Sequence, residues 1–175
     1  MDELIPLVPV DDLPPDLRAQ YDATERPGLR DFVRLMAHAP DHFRRYNDVY
    51  GQLRFSNHLG PRVTELVRLA TAQTTRCPVC MAGRHPTALE AGLTEELVAE
   101  IGSDQPELMT PAESVAVSFA LKFATDHTTI DDADKAALRD HFTPEQIVEL
   151  GLLCVMCLVG RFSMLAGLEE PSCPV

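Results

Sequence analysis

The residues best equipped for chemistry are two cysteines three apart, in the run Glu65-Leu-Val-Arg-Leu-Ala-Thr-Ala-Gln-Thr-Thr-Arg76-Cys77-Pro-Val-Cys80-Met-Ala-Gly-Arg84-His85-Pro-Thr. Pro78 suits a first helical position, where a missing N–H costs nothing, so Cys77 falls at the helix cap and Cys80 in the first turn. Unpaired amide groups and the positive end of a helix favour a thiolate there. Thiols in such C-x-x-C settings have pKa values lowered from about 8.5 into the range of about 3.5–7.5. The spacing makes Cys80 the candidate nucleophile and Cys77, one turn behind it, the resolving thiol. Glu65 lies on the preceding helix, and a turn between the helices brings its carboxylate back over the dithiol. If the second helix runs on from Pro78 to Ala91, Arg84 stands about 40° from Cys80 around the axis and His85 about 140° away. Arg84 then shares a face with both cysteines and holds a thiolate by charge, but with a pKa above about 12 it passes no protons.

The other cysteines read differently. Five in all, unevenly spaced, with no basic or long apolar leader in Met1-Asp-Glu-Leu-Ile-Pro, imply a reducing cytoplasmic setting and redox chemistry rather than a disulfide scaffold. Cys154 and Cys157 lie inside Leu152-Leu-Cys-Val-Met-Cys-Leu-Val, an apolar helical interior, and are expected to be core. A four-cysteine zinc site is not expected, because structural zinc knuckles place their pairs in turns. His58 and His127 are expected at helix ends, without metal-ligand spacing, and Cys173 is a spare thiol. No metal or cofactor is called for.

The elements that must position these groups are helices. Ala112, Val115, Ala116, Phe119, Ala120, Phe123 and Ala124 repeat at helical spacing, behind a Thr110-Pro111 start with Glu113 completing a capping box. Similar signals predict helices over 12–22, 31–39, 41–55, 61–75, 78–91, 94–101, 131–141 and 143–165, and no run alternates as a strand would. The expectation is an all-α, antiparallel helical domain over 1–175, with an extended lead-in (1–12) and a loose tail (169–175). The apolar stretch from Leu150 to Gly160 is about half of the ~20 residues a membrane span needs. With 27 acidic against 15 basic side chains, a charge of -12 and two lysines, the chain is not expected to bind nucleic acid or an anionic membrane.

A glutamate, twelve residues to a cysteine, three more to the second, and a segment closing in Ala91-Gly-Leu-Thr-Glu-Glu together resemble the carboxymuconolactone decarboxylase family. Within it the segment resembles the alkylhydroperoxidase AhpD-like, peroxidase-related branch. The match is strongest from Pro61 to about Ile101 and extends weakly to Ile5-Pro-Leu-Val-Pro and Pro144-Glu-Gln-Ile-Val-Glu-Leu. The resemblance implies the AhpD-like fold, assembly as a homo-oligomer (trimer or hexamer), and reduction of a hydroperoxide substrate by the dithiol, recharged by an external thiol electron donor. By position it implies Cys80 as peroxidatic, Cys77 as resolving and Glu65 as part of a proton relay. The family's relay histidine position is occupied by Arg84, with His85 one place later. Two other readings stay open: a redox-sensing or interaction protein with little turnover, and a lactone-decarboxylating lyase.

Overall fold

A computed structural model describes residues 4–169, among which there is no β-strand. Eleven α-helices follow in order: α1 (Pro15–Ala23), α2 (Pro27–Met36), α3 (Pro40–Phe55), α4 (Pro61–Thr75), α5 (Pro78–Met81), α6 (Pro86–Glu90), α7 (Glu95–Ala99), α8 (Pro111–Thr125), α9 (Asp132–His141), α10 (Pro144–Cys157) and α11 (Val159–Leu165). Eight of them open on proline, whose fixed φ and missing N–H fit the first turn. Reciprocal capping boxes start α8 (Thr110 with Glu113), α9 (Asp131 with Asp134) and α10 (Thr143 with Gln146).

Helix α4 is the axis of the fold. It packs against α8, α10, α3 and α11 and buries residues around its whole circumference, among them Leu66, Val67, Leu69 and Ala70. The described part of the lead-in lies against the helices: Arg34 Nε donates to Val8 O at 2.9 Å, and Ile5 and Leu7 pack with Leu35, Cys77, Val79, Ala166 and Leu168. Cys173 and all of the expected tail beyond Glu169 lie outside the described residues.

Two expected helices are each two helices. The 78–91 segment breaks at 82–85, where Pro86 disfavours the helical region for the residue before it and His85 is extended (φ -77°, ψ 134°). The 143–165 segment bends at Leu158 between α10 and α11. Together those two make a 22-residue segment that is long and apolar enough to cross a membrane by length and composition, more than the sequence count allowed. Here it lies on α4, with Leu150, Leu153, Cys154 and Cys157 buried. The fold start of α2 is also earlier than the periodicity predicts, because Pro27 rather than Asp31 begins it.

Candidate active site: a dithiol at a cavity wall

The chain leaves α4 through Arg76, a non-glycine residue in the left-handed region (φ 52°), and that reversal sets Cys77 at the cap of α5. Cys80 N–H donates to Cys77 Sγ at 3.2 Å, and the two cysteines form a disulfide with Cα atoms 5.2 Å apart. Cys77 is fully buried, whereas Cys80 is half-buried and lines a cavity of about 290 Å³. The expected cap geometry is present, but α5 is a single turn, so little macrodipole stands behind Cys80.

Positive charge comes from elsewhere. Arg68, one turn after Glu65 on α4, donates to both Glu65 oxygens (2.6 and 3.0 Å), to Gly83 O (2.8 Å) and to Cys80 O. Arg54, at the end of α3, donates to Glu65 Oε2 at 2.9 Å and to Tyr50 Oη at 3.2 Å. His85 N–H completes the set on Glu65 at 3.2 Å. Burial by itself would raise the Glu65 pKa. Hydrogen bonding and charge from Arg68, the charge of Arg54 and the His85 N–H outweigh it, and the carboxyl is held below its ordinary value. The buried triad of two guanidiniums and one carboxylate carries a net charge of +1. Arg26, also on the cavity wall, donates to Val79 O. Guanidiniums from α3 and α4 therefore supply positive charge at the site, where the sequence reading assigns it to Arg84. Arg76 is exposed.

The break at 82–85 corrects the helical-face reading of positions 84 and 85. Arg84 pairs bidentately with Glu95, both contacts at 2.9 Å, and donates to Met81 O at 2.7 Å, so it does not share a helix face with the cysteines. His85, freed from the helix, caps α6: its Nδ1 accepts from Thr87 N–H at 3.3 Å, and its ring lies 4.6 Å from that of Phe55. That acceptor role places the ring proton on Nε2, and the side chain lines the cavity with Cys80. Arg84 also lines the cavity, but its guanidinium is committed to Glu95 and the Met81 carbonyl rather than to the dithiol. Arg84→His is expected to keep any peroxide consumption within about threefold of wild type, and a gain above tenfold in kcat/KM shows instead that the ring reaches the dithiol.

Arg54, Arg68, Tyr50 and Cys157 are wall residues that sequence reasoning missed. Arg68 carried a signal, its i,i+3 spacing from Glu65. The others arrive by tertiary packing alone. Among the described residues no group of three or more His, Cys, Asp or Glu side chains is arranged to hold a metal ion. His58 pairs with Glu149 at 2.9 Å, at a helix–helix junction away from the dithiol. Cys154 is core, as its sequence context predicts, but Cys157 also reaches the cavity.

Helix α11 roofs the disulfide with a glycine. A Cβ on Gly160 would stand 3.2 Å from Cys80 Sγ, 3.2 Å from Cys77 Cβ and 3.0 Å from Thr75 Oγ1. Gly160→Ala is expected to cost about 1–3 kcal/mol by overpacking, more in the oxidised than in the reduced protein because a reduced Cys80 can rotate away. Thermal unfolding with and without dithiothreitol reads the difference.

Residues 40–122 match the model of the carboxymuconolactone decarboxylase family. Two uncharacterized proteins of Mycobacterium tuberculosis are each 30% identical over 116 residues, 65% of this chain, which spans about 40% of their length. Among solved structures, the AhpD core of an uncharacterized peroxidase-related protein from Ralstonia eutropha superposes with a TM-score of 0.77 at 21% identity, covering 97% of this chain and 92% of that one. A debrominase solved in complex with 2,3,4-tribromopyrrole superposes with a TM-score of 0.76 at 14% identity, covering 98% and 94%. These structural likenesses carry the fold, which is AhpD-like. Residues 40–122, the segment that holds Glu65, Cys77 and Cys80, are the part of the chain that matches the carboxymuconolactone decarboxylase family.

Proposed function

We propose that the protein reduces hydroperoxides with the Cys77–Cys80 dithiol and is recharged by an external thiol donor. The observation that carries this reading is the asymmetry of the pair: Cys80 lines a cavity and Cys77, within disulfide reach of it, is sealed off. A hydroperoxide in the cavity meets one sulfur and not the other.

In the reduced protein the Cys80 thiolate attacks the terminal peroxide oxygen. An S–O bond forms as the O–O bond breaks, and the departing alkoxide takes a proton, leaving an alcohol and a Cys80 sulfenic acid. Cys77 then attacks Cys80 Sγ; hydroxide leaves with the Cys77 proton as water, and the disulfide closes. Two thiols of a donor return two electrons and two protons through a mixed disulfide at Cys80.

The net +1 of the Arg54–Glu65–Arg68 triad favours the thiolate. Glu65 accepts from four N–H groups and stays ionised, so it acts here as a positioning residue that holds Arg68 and the His85 backbone against the dithiol turn. His85 Nε2, with no partner among the described residues, is the wall group placed to pass a proton to the alkoxide.

The test is reduced protein mixed with one equivalent of cumene hydroperoxide or hydrogen peroxide, with thiols mapped by mass spectrometry, followed by steady-state consumption with dithiothreitol. The expected result is joint loss of the Cys77 and Cys80 thiols and many turnovers. Retention of both thiols overturns the reading. Oxidation without turnover under any dithiol makes the protein a sensor rather than a catalyst.

A further inference from the structure

The second C-x-x-C pair plays no part in the cycle above, yet one of its members stands in the same cavity. We propose that Cys157 is a third redox thiol of the site, able to resolve an oxidised Cys80 in place of Cys77; this rests on Cys80 being the residue that peroxide oxidises.

Three observations carry it. Cys157 and Cys80 both line the cavity, whereas Cys154, one turn earlier on α10, is fully buried and does not. Gly160 follows Cys157 by three residues and lies against Cys80, its ideal Cβ position 3.2 Å from Cys80 Sγ. Leu158, at the bend between α10 and α11, is still in the right-handed helical region, so Cys157 and Gly160 stand one turn apart, about 5–6 Å at Cβ, which puts the Cys157 Cβ within about 9 Å of Cys80 Sγ. Finally, the polar neighbours of Cys157 are cavity-wall groups, whereas the polar neighbour of Cys154 is the buried Thr71. Tyr50 Oη lies 3.8 Å from Cys157 Sγ and is itself the acceptor of Arg54 Nη1.

Both thiols are held above the ordinary thiol value, against different neighbours. For Cys154, burial and the neighbouring Cys157 push the pKa up to about 12. For Cys157, burial raises it, and the Tyr50 hydroxyl and the Arg68 and Arg54 charges pull the other way without reversing the shift. Cys157 is thus a slower nucleophile than a thiolate and acts second, when Cys77 is unable to close.

The step balances without an added oxidant. Cys157 Sγ attacks Cys80 Sγ of the sulfenic acid, the S–S bond forms as the S–O bond breaks, and hydroxide departs with the Cys157 proton as water. Cys77 can then exchange onto Cys80, regenerating the Cys77–Cys80 disulfide and the Cys157 thiol. Interception of this kind competes with a second peroxide that would carry Cys80 on to sulfinic acid. Bridging requires Cβ atoms about 3.5–4.5 Å apart, so α5 and the end of α10 must close on each other.

The decisive variant is Cys77→Ser in a Cys173→Ser background. One equivalent of hydrogen peroxide is expected to consume two thiols per chain and to give an intramolecular Cys80–Cys157 link by tandem mass spectrometry, with little dimedone adduct. Adding Cys157→Ser is expected to cut the loss to one thiol and to leave Cys80 dimedone-reactive. A Cys80 sulfenic acid that persists in Cys77→Ser with Cys157 still alkylatable overturns the proposal. Diamide, which joins thiols without peroxide, separates the two readings: a Cys80–Cys157 link with diamide but no peroxide oxidation sinks the peroxidase reading alone, and no link with diamide sinks this one. Cys77→Ala serves the same test if the serine variant fails to fold by circular dichroism.

Discussion

Cys80→Ser is expected to lower steady-state peroxide consumption by roughly a thousandfold or more, because a serine hydroxyl has neither the nucleophilicity of a thiolate nor a sulfenic state to pass on. Cys77→Ser is expected to behave otherwise and to keep the first step, visible as a burst of about one equivalent in stopped flow. The contrast follows from the burial of the pair. Cys80 faces the cavity and Cys77 does not. If consumption survives in Cys80→Ser and disappears in Cys77→Ser, the order of attack is reversed. If both variants consume peroxide as the wild type does, the chemistry lies elsewhere.

Glu65→Ala is expected to be the most destabilising single change at the site, by about 3–5 kcal/mol, since removing one partner of a buried ionic network strands the others. Glu65 is 1% exposed and is the shared acceptor of Arg54, Arg68 and the His85 amide. Without it the buried Arg68 and the half-buried Arg54 face each other with no carboxylate between them, and Arg68 loses the contact that orients it on Cys80 O and Gly83 O. Urea denaturation of wild type, Glu65→Ala and Glu65→Gln checks the magnitude. A loss below 1 kcal/mol refutes the network's structural role. The pH dependence has a definite sign. The folded-state pKa of Glu65 lies below its ordinary value of 4.5, so its contribution is full above that value and is lost as pH falls through the folded one. Wild-type stability is therefore expected to decline on acidification below about pH 4.5 more steeply than that of Glu65→Gln.

Much of the fold is legible because its punctuation is local. Thr110-Pro111 with Glu113, Thr143-Pro144 with Gln146 and Cys77-Pro78 each state a helix start within four residues, and each is where the sequence puts it. The break before Pro86 was present in the same local code, since proline restricts the residue that precedes it, but periodic apolar residues on both sides hid it. That single misreading set Arg84 on the helix face of the cysteines and His85 off it, whereas the extended backbone at 85 brings both residues to the cavity wall, with Arg84 tied to Glu95. Apart from Arg68, whose spacing from Glu65 is a helical one, the rest of the wall was not legible. Tyr50 meets Cys157 across 107 positions of sequence, and Arg54 reaches Glu65 from a different helix; neither carries a spacing that a helix or turn would betray.

The sealing of Cys77 has a consequence for how the chain can be altered. Its cover is built from opposite ends of the sequence: Ile5 and Leu7 on one side, Ala166 and Leu168 on the other, meeting over the sulfur with Leu35 and Val79. In the proposed cycle the order of attack is thus a tertiary property, stored far from the motif itself. Trimming either flank would uncover the resolving sulfur and turn a one-way pair into two competing nucleophiles, with both cysteines and every wall residue still in place.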